Sequence, residues 1–282
     1  MIKLIALDLD GTFLKSDKTP DPNTLNKLVE LQDKGINYIF VTGRCYMNVK
    51  NILDTYNINP ELILNSGHEY RVNRKVVHKT FIPLNILKKI ITVLEKHNMS
   101  IIAYNSDNKI IFEDFDKFYY KHISASNKVR GIDLRKEINN PIFSYDLLKK
   151  SCILINHNSQ KFNELEIQKI DARNADEKET INCINELNNI EGITCYSSYY
   201  SFLEITSSNS NKGEELKRIT NLKGINNDEV LVFGVGANDI EMLNAFNNSY
   251  AMANADEIVF NHANYKTLSN DDGGIYHIIK NL

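Results

Sequence analysis

The chain has 282 residues, of which 42% are hydrophobic and 24% are charged, a composition typical of a globular protein. This length can hold two domains, or one large domain with an insertion. Only 12 Gly and 5 Pro exclude a collagen-like chain or a long linker. With 33 basic and 36 acidic residues, the net charge of −3 excludes a global basic field that binds nucleic acid non-specifically.

The four cysteines are scattered along the chain and no pair has CxxC spacing. This pattern argues against a disulfide framework and favours a reducing compartment such as the cytoplasm. No stretch approaches the 18 apolar residues of a membrane span. The apolar start of the chain is interrupted by Asp8 and Asp10, so it predicts a buried strand rather than a signal peptide.

The first part of the chain predicts alternating strands and helices. Residues 2–7 form an apolar run that predicts a buried parallel strand. Asp21-Pro22 suits the start of a helix, which Gly35 ends. A strand over residues 36–41, a further helix and a strand over 62–64 follow. This order is typical of a doubly wound, mostly parallel α/β sheet.

The end of the chain repeats this order, whereas the middle differs. Helices are predicted over residues 216–222 and 240–246, and strands over 230–233 and 250–253. Between them, we predict an inserted α+β domain over residues 82–203, whose strands alternate with more polar faces. The doubly wound core then comprises residues 1–81 and 204–282.

Two carboxylates stand at the end of the first predicted strand, in Asp8-Leu9-Asp10-Gly11-Thr12. Acids at i and i+2 of a strand-to-loop turn can face one pocket, where they need a cation or a shared proton between them. Mg²⁺ prefers such oxygen ligands and leaves positions open for phosphate. One carboxylate could then attack phosphorus while the other acts as general acid and base. The alternative is a pair of capping or turn acids, which explains this combination less well.

Two further segments suit an anion, although each also has a more ordinary interpretation. Thr42-Gly43-Arg44 follows the second strand, where a hydroxyl and N–H groups could bind a phosphoryl oxygen, but Thr-Gly after a strand is usually only a turn. Asn211-Lys212-Gly213 opens a helix, and its lysine could neutralise phosphate and nucleophile together. A single lysine is more often a solvated surface residue.

The segment from Phe233 to Asp239 runs from a strand through a glycine loop into a helix. Asp239 could be no more than the helix N-cap. The Gly234-Val235-Gly236 turn also suggests dinucleotide binding, but Asp239 stands where the third glycine of that fingerprint belongs.

In this order, the motifs resemble those of the haloacid dehalogenase-like (HAD) superfamily, in its Cof-type branch of small phosphatases. Residues 8–12 look like the nucleophile motif, 42–44 like the second motif, 212–213 like the third and 234–243 like the fourth. Three other segments are similar to this branch: Asn65-Ser66-Gly67, Ala251-Met252-Ala253-Asn254-Ala255 and Asn270-Asp271-Asp272-Gly273-Gly274.

The resemblance implies phosphate-ester hydrolysis through an aspartyl-phosphate. Asp8 would attack the phosphorus, and Asp10 would protonate the leaving alcohol and then activate water. Thr42 and Lys212 would hold the phosphoryl oxygens. The further substrate-binding residues are Gly11, Thr12, Gly43, Arg44 and Asn238. Mg²⁺ would bind at Asp8, Asp10 and Asp239, and the inserted domain would close over the substrate as a cap.

One position departs from the family pattern Gly-Asp-Gly-x-Asn-Asp. Its first acid is a direct metal ligand in the family, and Val235 replaces it here. Valine cannot bind a metal and removes one negative charge. Losing even a residue that only orients a ligand costs about 10–100-fold in metal affinity or activity. We therefore predict weakened Mg²⁺ binding and reduced turnover.

These features together predict a Mg²⁺-dependent phosphatase for small phosphorylated metabolites, such as sugar phosphates. The balanced charge argues against nucleic acid, membrane or protein substrates, and we expect a cytoplasmic monomer or weak homodimer. Two alternatives remain. One is a relative that binds phosphometabolites but lost turnover with the metal ligand. The other is a dinucleotide-binding dehydrogenase, which leaves Asp8 and Asp10 unexplained.

Overall fold

The structure, a computed structural model, describes residues 1–131, 133–136, 142–198 and 201–282. Its strands are β1 (Leu4–Leu7), β2 (Asn37–Val41), β3 (Glu61–Leu64), β4 (Glu69–Val72), β5 (Lys75–Lys79), β6 (Ser100–Tyr104), β7 (Lys109–Ile111), β8 (Cys152–Leu154), β9 (Lys169–Arg173), β10 (Ile193–Ser198), β11 (Phe202–Ser207), β12 (Val230–Gly234), β13 (Asn248–Ala251) and β14 (Tyr265–Lys266). Its helices are α1 (Pro22–Asp33), α2 (Tyr46–Thr55), α3 (Leu84–Lys96), α4 (Phe115–Arg130), α5 (Tyr145–Ser151), α6 (Glu177–Leu187), α7 (Lys212–Leu222), α8 (Ile240–Ala245), α9 (Glu257–Phe260) and α10 (Gly274–Ile279).

The chain divides into two compact units. The core unit comprises Met1–Arg44, Asn48–Lys79 and Ser210–Leu282, and the inserted unit comprises Cys45–Met47 and Thr80–Asn209. The limits of 82–203 that the sequence suggested for an inserted domain stay a prediction. No helix in the described ranges is long and apolar enough to cross a membrane.

The core unit is built on an eight-stranded sheet in the order β14-β13-β12-β1-β2-β3-β4-β5. The first six of these strands run parallel, and β4 and β5 each pair antiparallel with their neighbour. The central strand β1 is fully buried because its short apolar sequence is covered on both faces. These features confirm the predicted fold class, a mixed α/β fold around a mostly parallel sheet.

Helices α7 and α8 cover one face of this sheet. Leu216 of α7 and Met242 of α8 join a buried cluster with Ala6 and Val232 from the two central strands. Elsewhere in the core unit, α1 begins where predicted, because the Asp21 carboxylate accepts hydrogen bonds from the first-turn amides. It packs against β2 and α10. The predicted strand over residues 250–253 lies two residues earlier, where Asn248 pairs with Leu231 of β12.

The inserted unit contains a six-stranded sheet in the order β10-β11-β9-β6-β7-β8. Ile101 and Ala103 of β6 pack with α3 and α6, whereas Ile102 and Tyr104 pack with residues of α4. The prediction of strands with one more polar face is therefore wrong for β6. Helices cover both of its faces, so all five of its residues are buried.

Candidate active site

The candidate site lies at the carboxyl ends of three neighbouring parallel strands. Leu7 of β1 pairs with Phe40 of β2 on one side and with Phe233 of β12 on the other. Asp8 follows Leu7 directly, Gly234 follows Phe233 directly, and Thr42 stands two residues after Phe40. The Asp8 amide donates to the Phe233 carbonyl at 3.1 Å. Open α/β sheets bind ligands at this edge. The topology thus brings together three motifs that are far apart in sequence.

Asp8 is buried and its two carboxylate oxygens have different partners. Lys212 Nζ donates to Oδ1 at 2.7 Å, and Thr12 Oγ1 donates to Oδ2 at 3.1 Å. Burial, with the nearby negative charge of Asp239, raises the pKa of Asp8 to about 7 even though the Lys212 ammonium opposes this rise. Asp8 is therefore a carboxyl group held in place beside a fixed positive charge.

Lys212 reaches the site because α7 begins at this residue, where the sequence predicted that residues 211–213 open a helix. Asn211 caps the helix by accepting a hydrogen bond from the Glu214 amide at 2.9 Å. Gly213 permits the close packing, because a Cβ there would lie 2.6 Å from the Glu241 backbone of α8. Burial alone would lower the pKa of Lys212, but the carboxylates of Asp239 and Asp8 outweigh it and raise that pKa.

Asp239 ties the loop after β12 to Lys212. Its Oδ1 accepts from Lys212 Nζ at 2.7 Å, and its Oδ2 accepts from the amides of Val235 and Gly236, both at 2.9 Å. Gly234 makes room for it, since a Cβ there would lie 2.7 Å from Asp239 Cβ. The side chain makes no capping hydrogen bond to α8. The N-cap interpretation of Asp239 is thus wrong for α8, because both oxygens bind other groups.

Asp10 is held by two cations. Arg44 donates through Nε to Oδ2 and through Nη2 to Oδ1, both at 2.7 Å, and Lys18 Nζ lies 3.2 Å from Oδ1. Burial alone would raise the pKa of Asp10, but the hydrogen bonds and charge of Arg44, with those of Lys18, outweigh it and lower the pKa to about 2. The Arg44 guanidinium, predicted to bind substrate, binds Asp10 here.

The Thr42-Gly43-Arg44 turn is fastened from both sides. Thr42 is buried, and its Oγ1 accepts from the Arg44 amide at 3.2 Å. The Ser66 amide donates to the Thr42 carbonyl at 3.1 Å, and the Asn65 amide donates to the Arg44 carbonyl at 3.0 Å. The Arg44 N–H is therefore engaged within the turn, while the Thr42 hydroxyl keeps its own proton for donation.

Sequence reasoning assigned no role to two residues that shape this site. Lys18 pairs with Asp10, and an isolated lysine in a loop carries no signal for this contact. Asn254 donates to the Gly11 carbonyl at 2.9 Å, where Gly11 has a left-handed φ of 76°. The resemblance of residues 251–255 to the family did mark that segment. Asn238 folds over the loop, its Oδ1 2.8 Å from where a Cβ on Gly236 would lie.

The side chain of Val235 lies against the Asp8-to-Thr12 turn. Its two methyl groups are 3.3 and 3.9 Å from where a Cβ on Gly11 would lie. In the described part of the chain, no three His, Cys, Asp or Glu side chains form a group that could hold a metal ion. Mg²⁺ is commonly held by one or two carboxylates together with substrate phosphates. The residues present fit Mg²⁺ held in this way, with the remaining oxygen ligands supplied from outside the protein.

The parallel sheet and the acids at its edge define an α/β fold with a candidate site at the carboxyl ends of its strands. A family model of haloacid dehalogenase-like hydrolases matches residues 5–279, and the chain belongs to this family. This confirms the resemblance found in the motifs.

Two relatives from Bacillus subtilis (strain 168) match almost the whole chain. The chain is 25% identical over 282 residues to 5-amino-6-(5-phospho-D-ribitylamino)uracil phosphatase YitU, covering 98% of this chain and 96% of YitU. It is 28% identical over 294 residues to phosphatase YwpJ, covering 100% of both. A solved haloacid dehalogenase-like hydrolase from B. subtilis has a TM-score of 0.80 at 23% identity and full coverage of both chains.

Proposed function

We propose that this chain is a phosphoric monoester hydrolase that acts on small phosphorylated metabolites through an aspartyl-phosphate on Asp8. The contact that carries the proposal is the 2.7 Å hydrogen bond from Lys212 Nζ to Asp8 Oδ1. It places a fixed positive charge beside a carboxyl group at the strand edge where α/β proteins bind ligands. The match to named phosphatases along the whole chain supports the same reaction class.

In the first step, an Asp8 oxygen forms a bond to phosphorus as the bond from phosphorus to the ester oxygen breaks. Lys212 and the Thr42 hydroxyl stabilise the negative charge on the phosphoryl oxygens. Asp10 gives its proton to the departing alcohol oxygen. Arg44 holds Asp10 as a carboxylate, so proton donation requires the guanidinium to release it.

In the second step, water attacks the phosphorus of the aspartyl-phosphate. The carboxylate of Asp10 accepts a proton from this water, the bond from phosphorus to the Asp8 oxygen breaks, and phosphate leaves. The bidentate contact with Arg44 favours this base form of Asp10. The resting arrangement therefore suits the hydrolytic step, and the protonated state of Asp10 belongs to the step before it.

A magnesium ion, the cofactor general to this family, would neutralise charge on the transferring phosphoryl group. The residues that would hold it are Asp8, the Asp10 carbonyl and Asp239. Val235 supplies no ligand, and Asp239 already accepts three hydrogen bonds. We therefore propose a raised magnesium requirement and reduced turnover.

The proposed substrates are small phosphate esters such as sugar phosphates. YitU is named for a phosphorylated ribityl compound, which supports a phosphorylated polyol or sugar as the substrate of this chain. The inserted unit is proposed as the cap that selects the leaving group. The four scattered cysteines, no pair of which has CxxC spacing, support a reducing, cytoplasmic location, and we propose a monomer or weak homodimer.

Hydrolysis of p-nitrophenyl phosphate tests this proposal, with Mg²⁺ titrated from micromolar to tens of millimolar. Three variants are compared with the wild type: Asp8→Asn as the blank, the exposed Asp33→Asn as the matched control, and Val235→Asp. We expect turnover in the wild type and in Asp33→Asn, none in Asp8→Asn, and an increase in Val235→Asp at lower Mg²⁺. Turnover that survives Asp8→Asn rules out the aspartyl-phosphate. If only Val235→Asp turns over, the result favours the alternative in which the wild type binds phosphate esters without hydrolysing them.

A further inference from the structure

We infer that this chain binds Mg²⁺ tightly only after a phosphate has bound, so that the ion and the phosphate stabilise each other in the site. This inference rests on the proposed function, because it takes the phosphate to lie among Asp8, Thr42 and Lys212. It concerns the order and coupling of binding, which follow from the contacts of this chain around Val235.

The charges of the site are already balanced by the protein. Its three carboxylates are Asp8, Asp10 and Asp239. Lys212 lies between Asp8 and Asp239, while Arg44 and Lys18 lie on Asp10, so three positive charges face three negative ones once Asp8 is ionised. A divalent cation entering alone would leave two uncompensated positive charges in a partly buried site, which is unfavourable. A phosphate dianion entering with it restores neutrality.

The hydrogen bonds of the carboxylate oxygens also disfavour an ion that enters without phosphate. Both oxygens of Asp8 and both of Asp239 already accept hydrogen bonds. The oxygens of Asp10 accept from Arg44. An ion that enters alone competes with these donors for the carboxylate lone pairs, whereas phosphoryl oxygens bring new ligands of the kind that Mg²⁺ prefers.

Val235 is the residue that makes this coupling strong. Its backbone amide is fixed by Asp239, and its methyl groups lie against the Gly11 turn. An aspartate on the same backbone would add one negative charge and two oxygens to a site whose other charges cancel. Such a site attracts a cation without phosphate. The side chain at position 235 therefore decides whether the ion binds before or after the phosphate.

Calorimetric titration of MgCl₂ into the full chain measures the coupling, with and without saturating inorganic phosphate and with a protein-free blank. We expect phosphate to tighten Mg²⁺ binding by at least about tenfold in the wild type. By linkage, Mg²⁺ should tighten phosphate binding by the same factor. In Val235→Asp, Mg²⁺ should bind without phosphate at least about tenfold more tightly than to the wild type. Val235→Asn, which matches aspartate in size but has no charge, should stay close to the wild type.

An Mg²⁺ affinity that is equal with and without phosphate overturns the inference, and the wild-type titrations alone can show this. If the chain also hydrolyses p-nitrophenyl phosphate and binds phosphate, the proposed function stands and only the coupling fails. If phosphate does not bind with or without Mg²⁺, the coupling and the proposed phosphate site fail together.

Discussion

The ammonium of Lys212 donates a 2.7 Å hydrogen bond to the carboxylate of Asp8, which lies 204 positions earlier in the chain. The side chains of Asp8, Lys212 and Asp239, which are linked by hydrogen bonds, are all buried. This contact therefore joins the first and last of the three sequence segments of the core unit, and its positive charge favours the ionised form of Asp8.

Replacing Lys212 with methionine should destabilise the protein as well as abolish turnover. The change leaves two buried carboxylates without their cation, and removing one partner of a buried ion pair costs about 3–5 kcal/mol. Urea unfolding measures the loss. The matched control is Lys217→Met, a half-exposed lysine of the same helix, which should change the free energy of unfolding little. Equal losses in both variants contradict the role given to Lys212.

The stability of the metal-free protein should fall as pH rises from about 4 to about 7 through the Asp8 carboxyl. Its pKa of about 7 in the folded state lies above the ordinary value of 3.8 for an aspartate. The folded state thus keeps a proton in this window that the unfolded state has lost, and stability decreases with pH. Asp8→Asn removes this dependence. Its Tm relative to the wild type should rise between pH 4 and pH 7.5, while that of Asp33→Asn should not.

The acid and base roles proposed for Asp10 can be separated by the choice of leaving group. p-Nitrophenolate leaves without being protonated, whereas an alkoxide needs a proton from a general acid. Asp10→Asn should therefore release about one equivalent of nitrophenol per site in a burst and then stall, since water is no longer activated. With glycerol phosphate, no burst of glycerol should form. Rapid-quench measurements on both substrates test this, and steady turnover of either assigns the proton transfers elsewhere.

His122 should make the inserted unit less stable in mild acid. Its ring is buried between Phe118 and Phe143, and its Nε2 lies 3.1 Å from the Ile142 carbonyl oxygen. Burial, with the charge of Arg173 as a smaller cause, holds the pKa of His122 well below 6.5. The unfolded state therefore binds a proton below pH 6.5 that the folded state does not, and stability falls as pH decreases.

His122→Gln should reduce this acid sensitivity by up to about 1.4 kcal/mol per pH unit between pH 6.5 and pH 5. Urea unfolding at several pH values measures the slope. The matched control is His157→Gln, a half-exposed histidine of the same unit. An unchanged slope in His122→Gln shows that this residue is not the group that titrates.

The position of the site could be predicted from the sequence because it depends on short patterns. Asp8 and Thr42 each follow an apolar strand, and parallel strands bring such residues to one edge of a sheet. The partners of these residues could not be predicted in the same way. Arg44 bonds to Asp10 rather than standing ready for substrate, and this depends on how two loops meet.

The interpretation of Asp239 shows why a local pattern can mislead. An acid before a helix is a common N-cap, and a single sequence does not reveal that its oxygens bind Lys212 and the loop amides instead. The burial of β6 on both faces was missed for a similar reason. Whether a polar-looking strand is covered depends on where α4 packs, which is a tertiary contact.

The two hydrogen bonds from the Val235 and Gly236 amides to Asp239 have a consequence for the history of this protein. The path of the loop is set by its main chain and by Asp239, so position 235 can exchange its side chain without reshaping the loop. Under the proposed function, one base change between valine and aspartate codons would alter how strongly the protein requires magnesium, with little change in its fold. Under that function, such a position would let a lineage raise or lower its magnesium requirement through one side chain.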